Sequence, residues 1–386
     1  SIYNYLSTRM GFNSYKTGSS FFILSRTLGA TARLYLVVNI LQEAILNSFN
    51  IPFWATTIII LIMILLYTYD GGVKTIVYTD TLQTTCMLAG LVICVFYILN
   101  QMNMGFGESL SAMNDRGYSK IFFTDPNSKF FFLKQIIAGA FITVTMTGMD
   151  QEMMQKNISV KTLKDSQKNV MSMAITLAIV IVIFLFLGGL LYLYAESLNV
   201  SATGDKIFPV LAMEHMPPVV SVIFIIALIS ALFPSADGAI TALTATFCID
   251  IIGIQRRADL NEAAQKKIRQ RVHLTFAAIF LVFVLVFKWV NDPSMIGLLL
   301  KIAAYTYGPL LGLFTFGIIT KRVVKDHLVP DVSIAAHIKC LIIEKYQKSL
   351  LGSYEVGLEL LIINGSITFL GLLLISKKGN GQAAIN

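Results

Sequence analysis

Long apolar stretches recur through this chain of 386 residues, and most of them are long enough to cross a lipid bilayer. About 20 consecutive apolar residues suffice for such a crossing. Nine stretches are clear and one, 328–343, is weaker; they are 18–46, 52–69, 73–100, 130–149, 169–195, 218–252, 273–291, 295–319, 328–343 and 354–376. With 55% hydrophobic and 13% charged residues, the chain has more apolar surface than a soluble domain can bury. The pattern predicts an all-α polytopic membrane protein with about ten transmembrane helices, and residues 1–386 as a single transmembrane domain.

The positive charge of the chain indicates an orientation in the membrane. Its net charge of +8 does not predict a nucleic-acid partner, because Lys and Arg lie in short loops and not in aromatic-flanked stripes. They concentrate in 150–168 and 253–272, whereas the loops at 102–129 and 196–217 have no such excess. The positive-inside rule therefore places Ser1 and the C-terminus on the cytoplasmic side of a plasma or inner membrane.

Cysteines, histidines and catalytic motifs give no indication of an enzyme. The four cysteines lie in apolar runs without CxxC spacing, and the four histidines are scattered, so neither type predicts a metal site. The motifs GxxxxGK[ST], HExxH and GxSxG are absent from the sequence. We therefore expect no catalysis, and the ionisable residues inside apolar spans become the candidates for function.

The stretch 217–253 combines a membrane-spanning length with a polar centre. Residues 230–241 read SALFPSADGAIT. Pro234 frees the backbone carbonyl of Ser230, because proline has no N–H to bond to it. The carboxylate of Asp237 costs roughly 2.5–3.5 kcal/mol at mid-membrane. These features predict a cation site inside a helix bundle, and the alternative is a proline-kinked helix that packs through small residues.

A second acid, Asp80, lies among three threonines and a glutamine between residues 79 and 84. A carboxylate surrounded by hydroxyl groups is a suitable ligand set for a hard cation such as sodium. The alternative is an acid near the membrane surface, since Lys74 lies less than two helical turns away.

Three basic residues also lie within apolar spans. Arg26 and Arg33 are seven residues apart and so share one helix face, where they are expected to meet acids, carbonyls or an anionic solute. Structural pairing is the favoured use of the two. Lys301 lies near the outer end of its span, where it either contacts a solute or extends to the interface. Gly308-Pro309, two turns further on, predicts a second interrupted helix.

Five segments, taken in order, resemble the sodium:solute symporter family, which includes sodium/glucose, sodium/proline and sodium/sialic acid symporters. They are SIYNYL with RMG at 1–11, GGVKTIVYTDTLQT at 71–84, TGMDQEMMQKNISVKTLKDSQKN at 147–169, ALFPSADGAITALTATFCID at 231–250 and YTYGPLLGLFTFGIITKR at 305–322. The resemblance implies a LeuT-type inverted-repeat transporter fold with a midplane site between broken helices. It also implies sodium-driven uptake of a small solute by alternating access.

The resemblance further implies which residues hold sodium. Ala231 would offer its carbonyl and Ser235 its hydroxyl, while Asp80 matches the acid tied to a second sodium in some members. Pro234 stands where the family usually has a serine, so the carbonyl that it frees is expected to replace a hydroxyl ligand. Gly238 stands at another frequent serine position, which weakens the case for a second ion.

The solute-facing positions implied by the resemblance are Thr143 and Met146, and Lys301 falls where sugar carriers place a glutamine. Together with Arg33, these residues predict a sodium-coupled symporter for a small organic solute, including an anionic one such as a carboxylate or sialic acid. The alternatives are a sodium/sugar symporter, a transport-incompetent solute sensor on the same scaffold, and a channel. The family's first two helices have no counterpart here, so we expect an N-terminally incomplete domain that does not transport alone.

Overall fold

A computed structural model describes residues 1–68, 73–158, 160–290 and 294–378. Within these ranges, the structure does not describe the side chains of residues 44, 67–68, 73–79, 155–156, 158 and 232–235. The described chain is almost entirely helical. Its α-helices are α1 Asn4–Arg9, α2 Phe12–Ala44, α3 Phe53–Thr68, α4 Val73–Gln101, α5 Phe106–Asp115, α6 Phe132–Gly148, α7 Gln151–Ile158, α8 Leu163–Ser197, α9 Ile207–Glu214, α10 Pro218–Thr246, α11 Glu262–Val290, α12 Met295–Ile319, α13 Val329–Lys345, α14 Gln347–Leu351 and α15 Leu360–Leu374.

The predicted membrane spans coincide with helices throughout the described ranges. Six helical segments are long and apolar enough to cross a bilayer: Phe12–Glu43, Asp80–Gln101, Leu163–Ser197, Pro218–Ile252, Glu262–Val290 and Met295–Ile319. Three shorter apolar helices match further predicted spans, and α13 matches the weaker one. The chain is therefore a multi-pass membrane protein, as its composition predicts.

Three hydrophobic clusters hold the bundle together. One joins α1, α12 and α15, the second joins α2, α3, α10 and α11, and the third joins α4, α8, α9 and α10. Helices α2 and α10 pack against each other and link the clusters, and α12 packs along α2. Near the C-terminus, β1 (Val323–Val324) pairs antiparallel with β2 (Ser376–Lys377).

The N-terminus of α2 is fixed by an acid from the other end of the chain. Asp326 accepts hydrogen bonds from the backbone amides of Asn13 and Ser14, at 2.7 and 2.8 Å, and from the Ser14 hydroxyl at 2.6 Å. These bonds satisfy amides that a helix start leaves without partners. Gly11 has φ +142°, and a Cβ there would lie 2.6 Å from one Asp326 oxygen. Glycine therefore meets both the backbone conformation and the close approach of the carboxylate.

The structure corrects the prediction that Gly308-Pro309 interrupts a helix. Helix α12 is continuous through Pro309. Proline deprives the carbonyl of Tyr305 of its helical donor. That carbonyl instead accepts a 2.8 Å bond from the Asn364 side-chain amide on α15 and lies 3.1 Å from a ring nitrogen of His337. Partners on neighbouring helices thus allow α12 to stay unbroken.

The stretch 217–253 also stays helical through its polar centre. Helix α10 is continuous from Pro218 to Thr246 and ends in a π-helical turn, Phe247–Ile252. A break does occur between α6 and α7, at Met149 and Asp150. It is not among the interruptions predicted from the sequence.

Candidate functional site

The break between α6 and α7 is built by one buried acid. Asp150 is 1% exposed, and one of its carboxylate oxygens accepts the backbone amides of Glu152 and Met153 at 2.9 and 3.1 Å. This is the bonding of an N-terminal cap, which begins α7. On the other side of the break, the Tyr3 hydroxyl donates a 2.6 Å bond to the Met149 carbonyl. Contacts on both sides therefore fix the two helix ends.

Arg26 on α2 meets both acids of this break. Its guanidinium lies 3.5 Å from a carboxylate oxygen of Asp150 and directly contacts the carboxylate of Glu152. All three side chains are largely removed from solvent. A charge at membrane depth needs such partners, which is why an Arg in this span was expected to be paired. The prediction is confirmed for Arg26.

Glu152 also contacts α10, in the stretch that the sequence marks as a cation site. Its carboxylate lies against Gly238, and a Cβ at that position would be 2.7 Å from the Glu152 carboxyl carbon. The neighbouring Asp237 is fully buried, and its carboxylate accepts a hydrogen bond from the Gly238 amide. Because residue 238 has no side chain, the carboxylate of Glu152 has room to lie against α10.

Arg33 lies about two turns beyond Arg26 on α2, and its Nε is buried without a hydrogen-bond partner. Arg33 forms no ion pair within the described residues, although Arg26, Asp150 and Tyr307 lie within its electrostatic range. Tyr307, on α12, is 3% exposed. We name Arg26, Arg33, Asp150 and Glu152, together with the neighbouring neutral phenol of Tyr307, the central charged group. Both guanidiniums have a buried Nε without a hydrogen-bond partner, but Arg26 is ion-paired with two acids, so Arg33 is the one with its charge available to a further ligand.

The predicted sodium ligands lie on α10 and α4. The side chains of Pro234 and Ser235 fall outside the described set. Ala231, on α10, is exposed and lines a cavity of about 340 Å³ together with residues of α4 and α9. Asp80 is half-buried, with one carboxylate oxygen shielded from solvent.

Helix packing places the two acids of these helices at similar depths. A Cβ at Gly90 of α4 would lie 2.7 Å from the Cβ of Ala227 on α10. Two membrane-crossing helices, α6 and α8, lie between α4 and α10, so α4 and α10 run in opposite directions. Asp80 precedes this contact by ten residues and Asp237 follows it by ten. At about 1.5 Å per residue, both lie roughly 15 Å from the contact, on the same side.

The predicted solute-facing residues fall in separate places. Thr143 on α6 is exposed, and its hydroxyl bonds to the Gly139 carbonyl of its own helix at 2.9 Å. Met146 is half-buried against the cluster around α12. Lys301 is 51% exposed and forms a 2.5 Å ion pair with Glu344 on α13.

Lys301 and Glu344 line a cavity of about 830 Å³ between the start of α12 and the end of α13, which we name the α12–α13 cavity. Its charged and polar lining includes Lys129, Gln135, Lys301, Glu344, Lys348 and Glu355. It is a second candidate for solute binding, apart from the central charged group.

Membrane-spanning helices that surround a group of paired and unpaired charges are the architecture of a transporter or channel. This chain belongs to the sodium:solute symporter family, whose sequence profile matches residues 5–326. The all-α LeuT-type transporter fold expected from the sequence is thereby confirmed, and a solved structure shares that fold. It is the substrate-bound, outward-open state of a Na⁺-coupled sialic acid symporter, with a TM-score of 0.79 and 18% identity over 98% of this chain and 78% of that one.

Curated relatives are transporters. The sodium-coupled monocarboxylate transporter 1 of Mus musculus is 26% identical over 83% of this chain and 52% of its own length. The sodium/sialic acid symporter SiaT of Proteus mirabilis is 23% identical over 95% of this chain and 75% of its own. The chain therefore spans about half the length of the first and three quarters of the second.

Proposed function

We propose that this protein is a sodium-coupled symporter that imports a small organic solute across the cell membrane by alternating access. The observation that carries the proposal is the central charged group, inside a bundle that belongs to the sodium:solute symporter family. Charges at this depth are costly to bury and are typical of ion and substrate pathways.

The coupling ion is sodium, held by the carbonyl of Ala231, the hydroxyl of Ser235 and the carbonyl that Pro234 frees at Ser230. Asp80 supplies a carboxylate for a second ion. Support comes from oxygen-rich positions at similar depth on α4 and α10, since sodium prefers oxygen ligands. The relatives in mouse and Proteus mirabilis are both named as sodium-dependent carriers, which agrees with this assignment.

The solute is a small organic anion, and Arg33 binds its acid group. A planar guanidinium suits bidentate recognition of a carboxylate, and Arg33 has donors that no described protein group uses. Thr143 and Met146 border the solute on α6. The relatives carry monocarboxylates and sialic acids by name, and both classes have a carboxylate.

Sodium coupling supplies enough energy for this task. One sodium ion that crosses a potential of 100 mV releases roughly 2.3 kcal/mol. At about 1.4 kcal/mol per decade, that energy supports roughly fifty-fold accumulation of a neutral solute. A solute anion that enters with one sodium carries no net charge and depends on the sodium gradient instead.

Uptake into proteoliposomes tests the proposal. Lactate, N-acetylneuraminate and glucose would be offered with and without an inward sodium gradient. We expect sodium-dependent uptake of an acid, and loss of that uptake in Arg33→Gln by about thirty-fold or more, as for truncating one member of a buried charge pair (roughly 2–5 kcal/mol).

The matched control is Arg116→Gln, because Arg116 pairs with Glu196 at an exposed site. That variant is expected to stay within about twofold of the parent, since exposed ion pairs contribute little. Uptake that ignores the sodium gradient, or an Arg33→Gln variant as active as the parent, contradicts the proposal.

A further inference from the structure

The α12–α13 cavity has the dimensions and lining of a small-molecule site. Its volume of about 830 Å³ lies within the range of roughly 300–1,000 Å³ typical of ligand pockets. Apolar side chains such as Phe130, Leu300 and Val356 line it together with convergent charged groups. This combination of an apolar wall with a few polar groups is what orients a bound organic molecule.

The wall formed by residues 352–358 is held in place by several contacts. The backbone amide of Val356 donates a 2.9 Å bond to the side chain of Gln347, and that of Glu355 donates a 2.8 Å bond to the Asn127 carbonyl. The ammonium of Lys134 lies 3.4 Å from the ring centroid of Tyr354. The cavity is therefore largely formed before any ligand arrives.

A hydrogen bond also fixes Tyr354 in this wall. Its hydroxyl donates a 3.0 Å bond to the Glu359 carboxylate. Burial and the neighbouring Glu359 charge raise the pKa of Tyr354 to about 12. The phenol therefore keeps its proton, and this bond, throughout the physiological pH range.

The charge of the lining favours an anion. Lys129, Lys301 and Lys348 stand against Glu344 and Glu355 among the lining residues. Lys301 is 51% exposed and its partner Glu344 is 25% exposed, so water screens their ion pair. A carboxylate that enters the cavity can therefore replace Glu344 on the Lys301 ammonium at little cost.

The cavity and the central charged group lie along the same helix. Lys301 and Ala304 line the cavity on α12, and Tyr307 of the central charged group follows one turn after Ala304. Six residues separate Lys301 from Tyr307, or about 9 Å along the helix axis. Lys and Arg distribution places the cavity at the outer end of the bundle. An incoming solute thus meets the cavity before the centre.

We propose that the α12–α13 cavity is an outer binding site for small organic carboxylates, in which Lys301 binds the carboxylate and Glu344 holds Lys301 while the site is empty. The inference rests on the proposed function in that the solute is an anion, but the binding itself needs neither sodium nor a membrane. It assigns Glu344 a role as an internal competitor of the solute.

Protection of an introduced cysteine tests the site directly. Ser353 lines the cavity and is exposed, so Ser353→Cys would be labelled with an uncharged maleimide in detergent without sodium, and the labelled peptide quantified by mass spectrometry. Lactate is the probe, and lactamide, which lacks the charge, is the matched ligand control. We expect lactate to slow labelling of Ser353→Cys and lactamide to leave it unchanged.

Charge variants in the same background decide the roles of the pair. Lys301→Gln should raise the half-protecting lactate concentration at least about tenfold, the result of losing a charge-assisted contact. Glu344→Gln should lower it about two- to five-fold, because a half-exposed competing ion pair is weak. Lys345→Gln, which removes a positive charge just outside the lining, should change it less than about twofold.

Equal protection by lactate in the parent and in Lys301→Gln overturns the proposal, and so does equal protection by lactate and lactamide. Calorimetric titration of the parent and of Lys301→Gln with lactate gives a second reading that needs no cysteine. Failure of the proposed function is a separate result, because a protein without sodium-dependent uptake can still show lactate protection in detergent.

Discussion

Replacing Gly238 with alanine separates two opposing effects at the contact between α10 and α7. Alanine is favoured over glycine inside a helix by about 0.8–1.0 kcal/mol, so helix propensity alone predicts stabilisation. The structure predicts the opposite, because the new Cβ would lie 2.7 Å from the carboxyl carbon of Glu152 and closer still to one of its oxygens. No real Cβ tolerates that approach, so Glu152 must move.

The size of the destabilisation depends on which contacts Glu152 loses when it moves. Overpacking of a close-packed site costs about 1–3 kcal/mol. Glu152 also contacts Arg26, and an Arg that loses one of two buried partners loses part of the 3–5 kcal/mol typical of a broken buried pair. Asp150 stays 3.5 Å from Arg26 and limits that loss. After the helix-propensity gain is subtracted, we expect Gly238→Ala to lower the free energy of unfolding by about 1–3 kcal/mol.

The assay is reversible unfolding of the purified protein in mixed micelles, followed by circular dichroism. Gly188→Ala is the matched control, because Gly188 lies inside α8 and a Cβ there would meet nothing within 4 Å. That variant is expected to be unchanged or up to about 1 kcal/mol more stable. The double variant Gly238→Ala/Glu152→Asp should regain part of the loss, since the shorter acid leaves room for the methyl group.

A Gly238→Ala variant as stable as Gly188→Ala would contradict this prediction. A double variant that shows no recovery would also contradict it, because the loss would then arise elsewhere than in the contact between residue 238 and the Glu152 carboxylate.

Two further predictions concern α10 and α12. Ser235→Ala should raise the sodium concentration for half-maximal uptake without lowering protein abundance, and Asp80→Asn should do the same if a second ion binds; unchanged sodium dependence in both variants would remove them from the ion site. Asn364→Ala should destabilise the fold by about 1–3 kcal/mol in the same unfolding assay, because the Tyr305 carbonyl freed by Pro309 loses its 2.8 Å donor. An Asn364→Ala variant as stable as the parent would show that His337 alone satisfies that carbonyl.

The amino-acid sequence by itself determined the class of protein and the position of its helices. Apolar runs of membrane length have few structural solutions, because lipid offers no partners for backbone groups outside helices and barrels. For the same reason, a charge in such a run must face the interior of the protein, and Arg26 was predicted to meet acids there. These conclusions depend on local composition and on the solvent, both of which can be read along the chain.

Only the tertiary structure decided which charges meet and where a helix breaks. Asn364 lies 59 residues from the Tyr305 carbonyl that it satisfies, so α12 stays continuous where Pro309 predicts an interruption. Asp150 and Glu152 reach Arg26 across more than 120 residues, and Arg33 is left without an ion pair among the described residues. Periodicity reports which face of a helix is apolar, but not which residue of another helix lies opposite. Which residue lies opposite depends on how whole helices pack. Packing places Glu344 beside Lys301, and it places the Glu152 carboxylate where residue 238 has room for no side chain.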